Sequence, residues 1–181
     1  MKTLADEFSQ FARFPSAHPV KADLNAAVRD ALAVFEGRLG GVAMRVDLSP
    51  DLPPVLLDAG QFKRAVVNLV DNAAEAMQDV PHKELAISTS LAAPDTIELC
   101  ISDTGCGIST EDKSKLFLPY FSTKQRGTGL GLAIVSNVVS EHRGTIRVED
   151  NLPAGARFII ELPAHLPAGS EPQPRTTVAP G

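Results

Sequence analysis

Four groups of residues in this 181-residue chain have types and spacings that could do chemistry. Asn68 and Asn72 stand four apart in the run NLVDN, which puts both amides on one face of a helix. Amide oxygens suit a hard cation, and amide N–H groups suit phosphate oxygens. Asp103 heads the run DTGCGI, directly after an alternating stretch. A carboxylate at a strand end accepts from an exocyclic amine, and Gly105 and Gly107 let backbone approach a flat ring. Lys124 closes an apolar-aromatic patch containing Phe117, Tyr120 and Phe121. Gly127-Thr128-Gly129-Leu130-Gly131-Leu132 then opens into an apolar helix, whose first N–H groups can meet a phosphate.

Each group has a plainer reading. The asparagines could be surface residues, the DTGCGI run an Asx-type turn, the later glycines a hinge and Lys124 a solvated lysine. Asn is a mediocre helix former, however, and the pair interrupts the apolar residues Ala65, Val66, Val67, Leu69 and Val70, as a cleft wall would. The second glycine cluster is G-x-G-x-G with no strand immediately before it, so a Rossmann dinucleotide site is disfavoured. There is no G-x-x-x-x-G-K-[ST] either.

The elements that must position these groups follow from periodicity. Leu4, Phe8 and Phe11 share a helical face that ends at Phe14-Pro15, and residues 16–22 read as a linker. Asp23 is an N-cap for a helix to about Arg38, and Asp58 can cap a long helix from about 60 to 78. Residues 42–48, 85–91, 96–102, 144–150 and 156–162 alternate as strands, with the middle two forming a hairpin. Ser109 can cap a short helix over 110–115, a loop covers 116–127, and a helix spans 128–142. Beyond Pro163 the chain is rich in Pro, Gly, Ser and Thr, the composition of a disordered tail. Hairpins with helices grouped between them predict an α+β fold: a two-layer α/β sandwich with a mostly antiparallel sheet and helices on one face.

Bulk properties narrow the function classes. A hydrophobic fraction of 44% supports a real core, and a net charge of −5 without a basic run argues against nucleic acid. No run is apolar enough for a membrane span, and no signal peptide is visible. Cys100 and Cys106 have no metal-ligand spacing and read as reduced thiols of a cytoplasmic protein. The chain opens inside a helical pattern, so it is expected to be a piece of something larger, the cytoplasmic part of a membrane-bound sensor included.

The asparagine pair, then D-x-G-x-G, then F-x-P-[YF]-F-[ST]-T-K, then G-T-G-L-G-L occur in this order over roughly residues 20–163. In that combination the chain resembles the catalytic ATP-binding domain of bacterial sensor histidine kinases, within the ATPase superfamily shared by gyrase, the Hsp90 chaperones and MutL. The short lid 109–126 and the phrase DEFSQFARFP resemble the nitrogen-regulation sensor kinases (NtrY/NtrB-like).

The resemblance implies a Bergerat-type fold and a set of roles. Asp103 would hold adenine, Gly105 and Gly107 would shape the pocket floor, and Ile108 would pack on the ring. Asn68 and Asn72 would bind Mg²⁺ and phosphate oxygens and, with Lys124, carry the catalysis. Phe117, Tyr120 and Phe121 would fold over the nucleotide, with Lys124 reaching its phosphates. Gly127, Thr128, Gly129, Leu130, Gly131 and Leu132 would hold the phosphate tail. In Gly155-Ala156-Arg157-Phe158, Ala156 replaces a hydroxyl residue often found there, which puts one adenine contact in doubt. The implied domains are residues 1–15 as the end of a dimerisation helical hairpin, 16–22 as linker, 23–163 as the ATP-binding domain and 164–181 as tail.

In gyrase-like and chaperone ATPases of the superfamily, the position matching Asn68 is a glutamate that activates water. An amide cannot act as a general base at neutral pH. The resemblance therefore implies that ATP is presented to a histidine on the dimerisation helices, with onward transfer to a response-regulator receiver domain. That histidine is expected elsewhere. His18, His82, His142 and His165 all fall outside the H-E-[IL]-x-[NT]-P pattern and read as surface histidines, His142 at a helix C-terminus. The isolated chain is expected to bind Mg·ATP but not to phosphorylate itself. The alternatives are a gyrase- or chaperone-like ATPase, a non-catalytic docking module, and a serine kinase acting on an anti-sigma partner.

Overall fold

A computed structural model describes residues 16–122 and 128–165. The expectations for residues 1–15, for Lys124 and Gly127, and for the tail beyond 165 lie outside the described residues. In chain order the elements are β1 (Val20–Ala22), α1 (Leu24–Leu32) with a 3-10 turn Ala33–Phe35, β2 (Ala43–Leu48), β3 (Val55–Leu57) and α2 (Ala59–Ala76). There follow β4 (Glu84–Ala93), β5 (Thr96–Asp103), the one-turn α3 (Thr110–Lys113), α4 (Gly131–Glu141), β6 (Thr145–Asp150) and β7 (Ala156–Pro163).

Five strands form one sheet in the order β2-β4-β5-β7-β6, in which β2 and β4 run parallel and the other pairs antiparallel. Register sorts the side chains by face. Ile87, Ile101, Phe158 and Val148 line up across β4, β5, β7 and β6 and point to one side. On that side α1, α2 and α4 bury Leu24, Val28, Phe62, Leu69, Val135 and Val138 against them. The other face carries charge, with Arg147 pairing Glu98, Glu149 and Glu161. This is the expected two-layer α+β arrangement.

Helix α2 follows from its sequence. Asp58 caps it by accepting from the Gln61 N–H at 3.1 Å. Phe62, Ala65, Val66, Leu69, Val70 and Ala73 then form one buried stripe at helical spacing. The Asp58 carboxyl lies below the usual carboxylate range, chiefly because the His18 and Gln61 backbone N–H groups donate to it. Helix α1 stops earlier than expected. The chain tightens into a 3-10 turn that sends Phe35 into the core, and Gly37 (φ +70°) ends it in the left-handed region. Helix α4 starts at Gly131 instead of 128, because Gly129 (φ +68°) cannot be helical.

Two short strands were not expected. Val20–Ala22, at the end of the stretch read as linker, pairs antiparallel with Val55–Leu57, which begins directly after Pro53-Pro54. Three-residue strands are too short to show a period, and the prolines hide the second one.

His142 corrects the expectation of a surface histidine: it is only 4% exposed. Its Nδ1 lies 2.6 Å from the Val138 carbonyl, and its Nε2 is 2.8 Å from the Asp58 N–H. A carbonyl can only accept and an amide N–H can only donate, so the ring carries its proton on Nδ1 and accepts through Nε2. The Phe62 ring packs edge-on at 6.2 Å.

A buried polar cluster pins α1 to the sheet. Thr89 Oγ1 donates to Asn25 Oδ1 at 2.7 Å, and Asn25 Nδ2 donates to the Ser49 carbonyl at 2.8 Å. Thr89 Oγ1 also accepts the Ser49 N–H at 3.1 Å. Thr89→Val keeps the shape but strands the buried Asn25 oxygen, while the Ser49 N–H retains only its 3.3 Å bond to the Thr89 carbonyl. It should cost about 1–3 kcal/mol, read as a lower urea midpoint at unchanged slope.

Candidate functional site

A cavity of about 630 Å³ opens between α2, the turn after β5, the segment after α3 and the start of α4. That volume suits a drug-sized or nucleotide-sized ligand. One part of its wall is largely apolar, with Ile108, Leu116, Ala156 and Phe158 beside Asp103. Another part is polar, with Asn72, Thr128, Gly129 and Gly131.

Asp103 is the last residue of β5 and is 3% exposed. Its Oδ1 accepts the Gly105 N–H at 2.8 Å and the Ala156 N–H at 3.3 Å. Both bonds fall on one oxygen, so Oδ2 is the one left to accept from a ligand amine. Burial pushes the Asp103 carboxyl above its ordinary range, and the two N–H donors offset part of that. Asn151 steadies the same residue by donating Nδ2 to the Asp103 carbonyl at 2.7 Å. Ala156 thus serves this end of the cavity with its backbone N–H, for which no side-chain hydroxyl is needed.

Glycine is required here by close approach. A Cβ on Gly155 (φ +110°) would lie 1.8 Å from the Asp103 carbonyl oxygen. One on Gly105 would lie 2.6 Å from the Ala76 oxygen, which also accepts the Cys106 N–H at 3.1 Å. Strand β7 and helix α2 are therefore drawn against the Asp103 turn from two sides.

At the polar end, Gly131 and Leu132 begin α4 and line the cavity, and no side chain caps that helix. Its first N–H groups are therefore available to an anion. Asn72 faces Gly131 closely: a Cβ there would sit 4.0 Å from Asn72 Nδ2. No lysine or arginine is among the described residues lining the cavity, whereas Glu75, Asp103 and Asp112 are.

Of the residues expected from sequence, the cavity gathers Asn72, Asp103, Gly107, Ile108, Phe121, Thr128, Gly129, Gly131 and Leu132. Five expected contacts are placed elsewhere. Phe117 packs against the core, edge-on to Phe158 at 6.4 Å between ring centroids. Gly105 packs on α2 behind the cavity, and Leu130 is 1% exposed in the core. Tyr120 is 52% exposed, with its N–H donated to the Gly129 carbonyl at 2.9 Å. Asn68 is half-buried one turn before Asn72 and is not in the cavity wall. Glu75, Gln78, Asp112 and Leu116 line the cavity without having been singled out. Glu75 follows Asn72 by three residues, the spacing that shares a helix face, and is the one that spacing could have found.

Comparison with known proteins agrees with this geometry. Residues 57–166 match the family of histidine kinase-, DNA gyrase B- and HSP90-like ATPases, and the chain belongs to that family. It is 38% identical over 134 residues to the sensor protein FixL of Bradyrhizobium diazoefficiens, covering 74% of this chain and 26% of FixL. It is 34% identical over 165 residues to the nitrogen regulation protein NtrY of Azorhizobium caulinodans, covering 88% of this chain and 21% of NtrY. These relatives belong to different sensors, so the likeness defines the sensor kinase class and the nitrogen-regulation branch is one of several it reaches. The chain spans about a quarter or less of the length of either relative. A solved structure of the histidine kinase ThkA in complex with the response regulator protein TrrA shares the fold, with a TM-score of 0.74 at 24% identity. That match covers 89% of this chain and 46% of ThkA.

The raised Asp103 pKa has a testable sign. Burial favours the protonated form, so the folded-state pKa exceeds the unfolded value of about 3.9. The associated stability is full below the unfolded value and is lost as pH rises through the folded one. Asp103→Asn keeps an acceptor for the Gly105 and Ala156 N–H groups without the charge. With no ligand present, it should be more stable than the wild type at pH 7, and the gap should close as pH falls through the raised value. Urea midpoints measured at a series of pH values check this, and Asp58 titrates alike in both proteins and cancels.

Proposed function

We propose that this chain is the ATP-binding kinase module of a two-component sensor. It presents the γ-phosphoryl group of Mg·ATP to a histidine carried on dimerisation helices of a longer protein. The observation that carries this is one cavity with an amine-reading carboxylate, Asp103, at its apolar end and an uncapped helix start facing Asn72 at its polar end. Adenine suits the first end and a triphosphate the second.

A divalent cation fits the donor set. The described walls supply no basic side chain against a polyanion, and no group of three or more His, Cys, Asp or Glu that could hold a metal occurs among the described residues. A cation would therefore be shared between the amide of Asn72, with Asn68 one turn away, and the phosphate oxygens. Mg²⁺ held in this way would neutralise phosphate charge. Lys124, outside the described residues, would add to this, and Tyr120 and Phe121 would belong to the segment that closes over the nucleotide.

The chain's own contribution is binding and orientation. Asp103 and Ile108 fix the base, and the N–H groups of α4 fix the phosphate tail. In the transfer, a bond forms between an imidazole nitrogen and the γ-phosphorus while the bridging P–O bond breaks and ADP leaves. The imidazole gives up its N–H proton to solvent or a base beside it. None of His18, His82, His142 and His165 lines the cavity, so the nucleophile comes from outside the described residues. Onward transfer to a response-regulator aspartate follows from the sensor-kinase class and from the fold shared with ThkA. A cytoplasmic location follows from the same role. No helix among the described residues is long and apolar enough to cross a membrane. The nitrogen-regulation branch remains our preferred placement, on the short lid and the N-terminal phrase.

One observation favours a second reading, hydrolysis. Glu75 lines the cavity, and a carboxylate there could activate water. Asn68 speaks against it, since the α2 position that holds a glutamate in hydrolases of this superfamily holds an amide here.

Calorimetry should show Mg-dependent ATP binding by the isolated chain, with Asp103→Ala losing most of it while the circular dichroism spectrum is kept. Unchanged binding in that variant would show that the adenine end is misassigned. Mixed with ATP and a dimerisation segment bearing the acceptor histidine, the chain should label that segment at an acid-labile, base-stable site. Steady ATP turnover by the chain alone, abolished by Glu75→Gln, would establish hydrolysis in its place.

A further inference from the structure

We propose that His142 is a positioning residue for the nucleotide site, setting the register of α4 against α2 from the end of both helices remote from the cavity. The inference rests on the reading of that cavity as a nucleotide site. Helices α2 and α4 pack against each other and run antiparallel. At one end, Asn72 on α2 faces Gly131 at the start of α4. At the other, the last turn of α4 brings the His142 ring to the residue that caps α2, where Nε2 accepts the Asp58 N–H at 2.8 Å. Asn72 is fourteen residues beyond Asp58 and Gly131 eleven before His142, so the clamp stands roughly 16–21 Å from the gap it governs.

Between those ends the contact is apolar. Phe62, Val66, Leu69, Val135 and Val138 are buried in one cluster. Apolar burial is strong but non-directional, and it resists separation of two helices more than a small slide along them. The His142–Asp58 bond is directional and part-buried, with the ring itself in the interior. It is anchored at both partners: His142 Nδ1 is held by the Val138 carbonyl, and the Asp58 carboxylate takes the Gln61 and His18 N–H groups. A slide of α4 would break this bond and leave the buried His142 Nε2 and the half-buried Asp58 N–H without each other. The same slide would change the spacing between Asn72 and the first N–H groups of α4, the two sides of the phosphate end. The ring serves this purpose as a neutral acceptor, a role the transfer chemistry does not use.

His142→Leu fills the space without an acceptor. His142→Gln offers Oε1 to the Asp58 N–H. Amide hydrogen exchange is measured first without nucleotide, alongside the wild type. In His142→Leu, exchange should rise about tenfold at residues 134–137, the first hydrogen-bonded amides at the cavity end of α4, while central β5 and β7 amides keep their protection. Binding of Mg·ATP should weaken about tenfold, and His142→Gln should stay within about twofold of wild type in both measurements. Should His142→Leu not fold, His142→Asn replaces it with the same expected outcome, because its amide falls one methylene short of Asp58.

Faster exchange confined to residues 138–144 and 58–62 would overturn the proposal and reduce His142 to a local packing role. Equal damage from the Gln and Leu variants would overturn it as well. A wild-type chain that fails to bind Mg·ATP would sink the nucleotide reading instead, and the exchange pattern would still decide whether His142 couples the two ends.

Discussion

The rest of the site depends on one constraint: a nearly fully buried carboxylate must be held at the end of β5. Water cannot solvate Asp103 there, so backbone must do so. The Gly105 N–H can reach it only if the chain turns back at once, and the Ala156 N–H only if β7 arrives at the same point. That crowding is why Gly155 and Gly105 have no room for a side chain. The same contacts draw α2 against the turn through the Ala76 carbonyl, which takes the Cys106 N–H. The carboxylate, the edge of β7 and the cavity-bearing face of α2 are thus fixed to one another by the means that make the charge tolerable at all.

The polar end is organised by a different force. Backbone crowding there lies on the lid side, where a Cβ on Gly129 would sit 2.5 Å from the Tyr120 carbonyl carbon. Asn72 and the start of α4 face each other closely, and their separation is set by the packing of the two helices. On the proposed reading, the adenine reader is held by hydrogen-bonded backbone while the phosphate end adjusts with the packing of α4 on α2. The lid side is joined to this adjustable end, since the Tyr120 N–H bonds the Gly129 carbonyl just before α4 begins.

Much of this was legible in the sequence, and the reasons are local. Asp103, Gly107, Gly129 and Gly131 announce themselves because a carboxylate after a strand and glycines before a helix are statements about backbone. Helix α2 and strand β4 were legible because the burial of the helix, and of the first half of the strand, follows a clean period. Gly105 and Leu130 lie inside the right motifs but face away from the cavity, a distinction that motif membership does not carry. Glu75 and Gln78 look like any solvated helix face until the turn after β5 is laid across them. Asp112 and Leu116 reach the cavity only through the path of the lid. β1 and β3 are too short to show alternation, and each exists only because the other is there. His142 was the largest surprise. Its place after a helix of mixed polarity suggests exposure, and only the cap of a helix more than eighty residues earlier makes it an interior group.

The charge pattern of the cavity explains why these two ends must cooperate. Its described walls are acidic or neutral, so nothing on them would attract a polyphosphate by itself. On the proposed reading, attraction would come from partial charges on the N–H groups of α4, from a cation shared with Asn72, and from Lys124, which lies outside the described residues. The first two act only at short range and in one arrangement. On the proposed reading, Asp103 sets affinity for the base, whereas competence at the phosphate end depends on how α4 sits against α2. A module that presents ATP to a histidine from outside would gain from that division: one end would hold the nucleotide, and the other would complete its site only when helices, cation and incoming histidine are aligned together.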